Sequence, residues 1–546
     1  MELLARPVAR LTLAALAAVL ALALPATAAG RPPLEQPSSQ TEPPRFFQLS
    51  ADEAEAIADR ADKVREERIG DPDLEPTAYT RGSGRWQVSY FSDGEEKVQV
   101  TVDDSAGAIL EQWSGPQVAW TMARGYEGAF GRKLNAPYVW LPLCVLFLIP
   151  FVDPRRPFRL LHLDLAVMLA FGVSHLFFNR GEIATSVPLA YPVLGYLLVR
   201  MLVAGFRGRE RTERLVPLIP AAWLAVGLVF LVTFRAGLNV VDSNVIDVGY
   251  SGVVGADRIV DGGELYGERF APDNERGDTY GPANYLFYVP FEQALTWSGS
   301  WDDLPAAHGA ALTADLLVIL GLLLLGRRLR AGREGRTLGL ALAFGWAAYP
   351  YSAFVLESNS NDALVAVAVV GALLALTARP VRGALLAGVA VALGAAAKFA
   401  PLALAPLFAG SGEAPRRRGA LAFALALAGV LLLTVTPFVP DGGLRELYDR
   451  TVGYQAGRPS PFSIWGQEDS LERLQTVVKG SAVGLALLIA FIPRTKTPAQ
   501  TAALGAAVLI ALQLAVTHWF YLYIVWFAPL VLVALFAPMR DPRVTA

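Results

Sequence analysis

The stretch NVIDVGYSGVVGADRIVDGGELYG, residues 244–267, places four carboxylates and six glycines in a chain that is otherwise strongly apolar. A carboxylate at a membrane surface, partly shielded from water, can act as a general base for a hydroxyl or bind a divalent cation. Asp247 stands among apolar residues and glycines that should pack against helices, where a carboxylate needs a specific reason. It is therefore the candidate catalytic residue. The other three acids are expected in turns or on a solvated face, which is also the alternative for Asp247.

Lys398 is the second candidate, in the apolar segment GALLAGVAVALGAAAKFAPLALAPLFAG, residues 383–410. A cation at membrane depth costs a few kcal/mol unless it is paired, so it marks a functional site by default. An anionic phosphate would be a suitable partner. The alternative is a flexible side chain that reaches the membrane surface.

Further polar candidates lie in short segments between apolar runs. They are Glu357 and Asn361 of LESNSND (356–362), Arg450 and Arg458 of the segment 439–469, and His518 of THWFYLYIVWF. Arginines can hold phosphate, and a histidine flanked by aromatic residues can contact a phosphate or a hydroxyl, although structural roles are alternatives for each. No metal ligand set and no organic cofactor is predicted, and a divalent cation at the acidic loop is left as an open alternative.

The composition indicates a membrane protein. Of 546 residues, 54% are hydrophobic and only 18% are charged, against about 25% in soluble proteins. The mean hydropathy is +0.40. Apolar runs near the roughly 20 residues that a bilayer requires recur from Pro137 to the C-terminus. Cys144 is the single cysteine, so no intrachain disulfide can form, and a packing role is expected.

The N-terminal quarter has a different character. Residues 1–29 have a basic start, an apolar middle and an A-x-A pattern, which predicts a signal peptide, with an uncleaved anchor as the alternative. Residues 30–45 are predicted as a linker. Residues 46–136 are predicted as a small extracytoplasmic α+β domain, with a helix over 49–69 and a hairpin that turns at Asp93-Gly94.

The topology follows from short basic loops, which stay in the cytoplasm. Eleven crossings are predicted at about 138–152, 160–179, 188–205, 215–234, 309–326, 337–355, 362–378, 419–437, 478–493, 498–516 and 522–538. Residues 383–410 must cross an even number of times and are too few for two full spans, so a short-helix hairpin with a bend near Lys398 is expected. The external loops are then 235–308, 356–362 and 438–477, and every candidate residue faces the extracytoplasmic side.

The expected fold is therefore an all-α polytopic membrane protein of about 11 transmembrane helices plus a short-helix hairpin, with a small extracytoplasmic α+β N-terminal domain. The location is the plasma membrane. Within the first large loop, residues 275–297 place Tyr285, Tyr288, Phe291 and Leu295 at helical spacing, which predicts an interfacial helix with an aromatic belt.

Two resemblances add to these expectations. The helix and hairpin ending in VTVDDSAGAILE are similar to the PepSY family of extracytoplasmic domains. From about 215 to 538 the chain resembles the GT-C superfamily of polytopic glycosyltransferases, particularly the glycosyltransferase-87 family. The matching stretches are DVGYSGVVGADRIVDGGELYG (247–267), YGPANYLFYVPF (280–291), LESNSNDALVA (356–366) and AAKFAPLALAPL (396–407). Glu357 and Ser358 depart from the family's Gly-Gln, and Gly281 departs from its Pro-Pro.

The resemblance implies an integral membrane hexosyltransferase, for example a mannosyltransferase, with a GT-C-like domain over 137–546. It would move a sugar, mannose-like or another hexose or pentose, from a polyprenyl-phosphate donor to a cell-envelope glycan or glycolipid by inverting transfer. Asp247 would be the catalytic carboxylate. The expected substrate-binding residues are Lys398, Tyr250, Tyr266, Glu357, Asn361, Arg450, Arg458 and His518.

Two other functions are compatible with the same sequence. A lipid-linked-sugar carrier or flippase would share the phosphate-binding lysine but would not require Asp247. An envelope sensor or scaffold would use the N-terminal domain and leave the membrane part as an anchor. The expected partners are the lipid-linked donor, the acceptor and membrane lipid, and no nucleic acid.

Overall fold

The structure is a computed structural model that describes residues 34–125, 129–267, 270, 274, 276–301, 304–412 and 416–541. The chain divides into two compact units. One contains the N-terminal domain with the segment Phe177–Ile183, and the other contains Phe130–Leu176 and the chain from Ala184 onward. The signal peptide predicted at residues 1–29 lies outside the described residues.

The N-terminal domain is a five-stranded antiparallel meander with two helices. Its elements are β1 (Leu34–Glu35), α1 (Ala51–Ala58), α2 (Asp62–Gly70), β2 (Glu75–Arg81), β3 (Arg85–Ser92), β4 (Glu95–Asp103), β5 (Ala108–Ser114) and α3 (Pro116–Ala119). The strands follow the order β1-β2-β3-β4-β5. Asp93 and Gly94 take positive φ values of 50° and 78° at the predicted hairpin turn.

Two details of this domain differ from the prediction. The helix expected over 49–69 is broken into α1 and α2, because Ala61 has an extended backbone before α2 begins. Ser50 and Glu53 form a capping box that fixes the start of α1. The predicted linker contributes the short strand β1, which pairs with β2.

The second unit is helical. Its helices are α4 (Pro137–Leu148), α5 (Leu160–Asn179), α6 (Ile183–Arg207), α7 (Ala221–Asp242), α8 (Asp247–Val260), α9 (Pro282–Ala294), α10 (Pro305–Leu329), α11 (Gly332–Ala348), α12 (Pro350–Glu357), α13 (Ala363–Ala375), α14 (Pro380–Ala397), α15 (Ala405–Ala409), α16 (Arg416–Val435), α17 (Gly443–Tyr448), α18 (Tyr454–Gly457), α19 (Ile464–Gln467), α20 (Glu472–Leu488), α21 (Pro498–Ala515) and α22 (Ile524–Phe536).

Within the described residues, seven helices are long and apolar enough to cross a membrane, and an eighth span is possible if a bent pair counts as one. These seven are α5, α6, α7, α10, α14, α16 (with the residues that extend it to Phe438) and α21. The bent pair is α11 and α12, which meet at 57°. The chain is therefore a multi-pass membrane protein by length and composition of its helices, with fewer full-length spans than the 11 expected.

The shortfall has a local cause. Several predicted crossings are shorter helices of 10 to 17 residues, which include Pro137–Leu148, Ala363–Ala375 and Tyr521–Phe536. The predicted hairpin over 383–410 also differs, because α14 is by itself an 18-residue helix of spanning length. The chain does bend where expected: α14 ends at Lys398, whose backbone is extended.

The predicted interfacial aromatic helix is α9, and its tyrosines are core residues rather than a membrane belt. Tyr285 is 0% exposed and Tyr288 is 1% exposed. Their rings pack on the glycine face of α8, where a Cβ at Gly255 or Gly252 would lie 2.2 Å or 2.6 Å from the nearest ring atom. The missing side chains let the two helices approach closely, which buries the rings.

Candidate functional site

Asp247 is the first residue of α8. A carboxylate in the first helical turn is stabilised by the unpaired backbone N–H groups and by the helix dipole. The backbone oxygen of Asp247 accepts hydrogen bonds from Ser251 Oγ at 2.6 Å and from Asn274 Nδ2 at 3.1 Å. These contacts hold the start of α8 in one conformation.

The segment 356–362 holds the chain that leads into α8. The backbone N–H of Asn244 donates to the Glu357 carbonyl at 2.9 Å, and that of Ile246 donates to Ser358 at 3.3 Å. Asn359 Nδ2 donates to the Asn244 carbonyl at 3.1 Å. The whole segment is buried. The segment predicted as an external loop is therefore buried in the protein and supports the site, while the side of the membrane on which it lies stays a prediction.

Asp247 lies in a concave part of the protein surface near Arg458 and Lys398, which we call the recess. The residue is exposed to water, yet burial by the surrounding protein raises the pKa of its carboxyl above the usual value, against the lowering effect of Arg458 and Lys398. A side chain that is surrounded by protein and still exposed lies in a concave part of the surface. A carboxylate of raised pKa is a stronger proton acceptor than an ordinary one, which suits a general base.

Lys398 is buried beside the same recess, and its partner is a protein carboxylate. Its ammonium lies 2.5 Å from Asp362 Oδ1. The indole N–H of Trp526 donates to the same oxygen at 2.7 Å, and the Ser360 hydroxyl donates to Oδ2. Asp362 is thus satisfied on both oxygens, whereas Asp247 faces the recess.

Three aromatic rings surround the ammonium. The ring centroids of Tyr280, Tyr523 and Trp526 are each 5.5 Å from Lys398 Nζ. Such distances fall within the range of cation–π attraction. The ring of Tyr523 also stacks on that of Trp526, with centroids 4.3 Å apart. The three rings together stabilise the ammonium of Lys398. All three aromatic residues are only partly buried, so part of each side chain stays accessible to a ligand.

The backbone around Gly281 places Tyr280 over the lysine. The N–H of Gly281 donates to the Ala397 carbonyl at 3.2 Å, and a Cβ at Gly281 would lie 2.0 Å from the Ala396 oxygen. Glycine is therefore required for this contact with the end of α14. Tyr266, a predicted site residue, is 1% exposed and donates its hydroxyl to the Tyr280 carbonyl at 2.7 Å. Tyr266 thus holds the backbone of Tyr280 in place and is itself too buried to contact a ligand.

Arg458 supplies a positive charge in the same group. Its charge acts on Asp247, Tyr280 and Tyr523 alike, and its guanidinium lies 6.0 Å from the Tyr454 ring centroid. Arg458 is only half-buried. Arg458 therefore has more surface available to an anionic ligand than the buried Lys398.

His518 also belongs to this group. Its Nδ1 is 2.9 Å from the hydroxyl of Ser460. Burial lowers the pKa of His518 to about 3, and the charges of Arg458 and Lys398 act in the same direction. The imidazole is therefore neutral at neutral pH, and it can form hydrogen bonds but cannot contribute a charge to phosphate binding.

Two other predicted site residues have structural partners. Tyr250 is 2% exposed, and its ring stacks on Trp301 with centroids 4.4 Å apart. Arg450 donates to the carboxylates of Asp278 at 2.8 Å and Glu446 at 2.9 Å. It also donates to the Gly267 carbonyl at 2.8 Å. Arg450 thus ties the segment 443–453 to the loop that follows α8.

Glu357 and Asn361 are fully enclosed. Glu357 is 0% exposed, and neither carboxylate oxygen has a hydrogen-bond partner among the described residues. Asn361 Nδ2 donates to Asn284 Oδ1 at 2.9 Å. Both residues belong to the buried segment 356–362, so they support the site and are not surfaces that a ligand reaches directly.

The sequence interpretation missed four residues of this group: Asp362, Tyr280, Tyr523 and Trp526. A signal for Asp362 was present, because a lysine at membrane depth needs an acid and LESNSND ends in one directly before an apolar run. The aromatic residues gave no such signal, since aromatic residues are frequent at every membrane interface.

Among the described residues, no group of three or more His, Cys, Asp or Glu side chains is arranged to hold a metal ion. The fold and site together define a multi-pass membrane protein in which an exposed carboxylate lies near two cations and a group of aromatic rings. The sequence matches no model of a known protein family. A search of curated proteins found no relative.

Proposed function

We propose that the protein is an integral membrane glycosyltransferase that moves a sugar, mannose-like or another hexose or pentose, from a polyprenyl-phosphate donor to an extracytoplasmic acceptor. The observation that carries this proposal is the pairing, in one recess, of a water-accessible carboxylate of raised pKa, Asp247, with the cation Arg458. A base and an anion-binding group facing the same space are what transfer from a phosphate leaving group to a hydroxyl requires.

The reaction is a single displacement. Asp247 accepts the proton of the acceptor hydroxyl as that oxygen forms a bond to the anomeric carbon. The bond from this carbon to the phosphate oxygen breaks, and the electron pair leaves with the polyprenyl phosphate, so the configuration inverts. Negative charge develops on the leaving phosphate, where Arg458 and the field of Lys398 give the most stabilisation.

The Lys398–Asp362 pair has a supporting role in this scheme. Because its ammonium already contacts a carboxylate at 2.5 Å, Lys398 fixes the aromatic wall and adds positive potential. A direct contact between Lys398 and the donor phosphate would have to displace part of that pairing. The aromatic faces of Tyr280 and Tyr523 suit the apolar face of a sugar ring.

The proposed topology keeps 11 crossings by counting the shorter helices as spans. Helices α4, α13, α20 and α22 would then cross beside α5, α6, α7, α10, α16, α21 and the bent pair of α11 and α12. Helix α14, although of spanning length, would not count as a crossing: it would be the longer arm of a hairpin whose return arm is the apolar segment Ala400–Ala409. This arrangement puts the recess on the extracytoplasmic face of the plasma membrane, where a lipid-linked donor rather than a nucleotide sugar serves. The supporting observation is the basic loop pattern.

The deciding experiment is transfer by purified protein in lipid, with radiolabelled polyprenyl-phosphate hexoses and envelope glycan acceptors. Asp247→Asn is expected to reduce transfer by at least about 100-fold, as loss of a general base does. The matched control is Asp261→Asn, an exposed acid at the other end of α8, which should retain wild-type transfer. Equal rates for Asp247→Asn and wild type would refute the assignment.

The carrier or flippase alternative predicts a different pattern in the same samples. Fluorescent lipid-linked sugar would cross the bilayer of vesicles that contain wild-type protein, and Asp247→Asn would leave that movement unchanged. Movement without any transfer would favour the carrier over the enzyme.

A further inference from the structure

A second cavity lies in the helical unit, remote from the recess. Its volume is about 710 Å³. It is formed by the start of α5 and α21, the C-terminal half of α6, and the ends of α10 and α22. Helix α10 connects the two regions: Ala306 at its start packs in the core beside α8, and Leu329 at its end lines the cavity. At 1.5 Å per residue, these ends are about 35 Å apart, enough to cross the roughly 30 Å of a bilayer core.

The cavity is strongly basic. Its lining contains one acid, Glu210, and six arginines, which are Arg200, Arg207, Arg209, Arg211, Arg330 and Arg540. Arg200 is paired with the buried Asp164 at 2.8 Å, and Arg540 with Glu210 at 2.8 Å. These acids leave a clear excess of positive charge. Arg200 and Arg330 are each only 9% exposed, so part of this charge is built into the protein rather than carried on its surface.

Part of the cavity lining is apolar and exposed. Val199 and Val203, one turn apart on α6, are 61% and 41% exposed. Leu160 at the start of α5 is 42% exposed. Large exposed aliphatic side chains on spanning helices face lipid tails. The cavity lining thus combines arginines at the helix ends with exposed aliphatic side chains that would contact lipid tails.

We propose that this cavity binds the phosphate-bearing headgroup of an anionic membrane lipid, with an acyl chain along Val199 and Val203. Arginine is suited to phosphate because its planar guanidinium can donate two parallel hydrogen bonds. Basic pockets between spanning helices at the cytoplasmic surface commonly take such headgroups. The charge bias of the loops predicts that this end of the helices is cytoplasmic. The site is independent of the transferase proposal.

The test is lipid binding by the purified full-length protein. Native mass spectrometry and thermal unfolding would compare phosphatidylglycerol and cardiolipin with phosphatidylcholine, for wild type and for Arg207→Gln/Arg209→Gln. Both arginines are exposed, so the variant should fold. The control is Arg333→Gln/Arg336→Gln, which removes two exposed arginines from the start of α11, outside the cavity lining.

Wild type and control should retain anionic lipid over phosphatidylcholine and gain thermal stability from it. The Arg207→Gln/Arg209→Gln variant should bind about 30-fold more weakly, given the usual contribution of each arginine near a membrane surface. Equal losses in the variant and the control would overturn the proposal, as would equal retention of phosphatidylcholine. Inorganic phosphate or pyrophosphate at millimolar concentration should not displace the lipid, and full displacement would assign the site to a soluble anion instead.

Discussion

The ammonium of Lys398 lies 2.5 Å from Oδ1 of Asp362, a residue 36 positions earlier in the chain. The first ends α14 and the second directly precedes α13, so the pair joins two helices where they meet the recess. Lys398 was predicted to pair with a phosphate of the substrate, and in the structure it pairs with a carboxylate of the protein. Together with the rings of Tyr280 and Trp526, the pair forms one wall of the recess.

This pair should be strongly coupled in stability. Removing one member leaves a buried charge without its partner, so Lys398→Met and Asp362→Asn should each lower the free energy of unfolding by about 3–5 kcal/mol. The double variant should lose less free energy of unfolding than the two single variants lose together. Denaturant unfolding of the detergent-solubilised protein measures all three. Lys479→Met, at an exposed lysine of α20, should change stability by less than about 0.5 kcal/mol. Additive losses would mean that the pair is not a unit.

Transfer should decline in acid at a pH set by Asp247. The base must be deprotonated, and burial raises its pKa above the ordinary 3.8, so kcat/KM should fall as the pH drops through that raised value. Arg458 lowers the pKa of Asp247. Arg458→Gln should therefore move the acid limb to higher pH and also raise KM for the donor. The measurement is the pH profile of transfer.

Two variants check the origin of that profile. Arg445→Gln removes a largely exposed arginine from the same external region and should leave the limb in place. His518→Asn should remove no limb between pH 5 and 8, because the pKa of His518 is lowered to about 3 and the ring is neutral throughout. A limb that disappears with His518 would transfer the base assignment to the histidine.

Asp247 should also destabilise the fold, in a pH-dependent way. A carboxyl whose pKa is higher in the folded than in the unfolded protein binds its proton more readily when folded, so stability falls as the pH rises through that interval. At pH 7, Asp247→Asn should unfold at a higher temperature than wild type. The gain in the free energy of unfolding should be less than about 1 kcal/mol, because water screens the carboxylate. The difference should vanish below the ordinary pKa of 3.8. A difference that stays constant with pH would show that it does not arise from ionisation.

The helical membrane character of the chain could be predicted from its sequence because apolar length is a local property. Six of the seven long spans among the described residues are continuous apolar runs that the sequence analysis predicted as crossings. Helix α14 was harder: basic residues at both ends of 383–410 imposed an even number of crossings, which suggested two short arms. Helix α14 is continuous over 18 residues and packs against α16, a contact between separate segments that the sequence does not reveal.

The site was predictable to the extent that single residues conflicted with their surroundings. Asp247 and Lys398 each stood out as a charge among apolar residues, and the structure brings both to one recess. Their neighbours were hidden because burial depends on the partner. Tyr288 has the spacing of a membrane belt, and only the glycine at 252 on another helix reveals that it is a core residue. Likewise, Asp362 is identified as a partner only by the approach of Lys398.

The glycine face of α8 should be essential for holding Asp247 in position. A Cβ at Gly255 would lie 2.2 Å from the Tyr285 ring, and this ring is held from its other end, because its hydroxyl donates to the Gly277 carbonyl at 2.5 Å. The ring cannot withdraw without losing that bond, so Gly255→Ala should force α8 and α9 apart and lower the free energy of unfolding by about 1–3 kcal/mol. Transfer should fall with it, since Asp247 begins the displaced helix.

The matched control for this substitution is Gly237→Ala on α7, where nothing lies within 4 Å of the added Cβ. Alanine is favoured over glycine inside a helix by about 1 kcal/mol, so this variant should be neutral or slightly more stable. Thermal unfolding and the transfer rate would be measured on both proteins. If Gly255→Ala were as stable and as active as Gly237→Ala, the close packing of α8 on α9 would not position the carboxylate. Loss of activity with unchanged stability would instead indicate that a small shift of Asp247 is enough to stop the reaction, which is the stronger form of the same prediction.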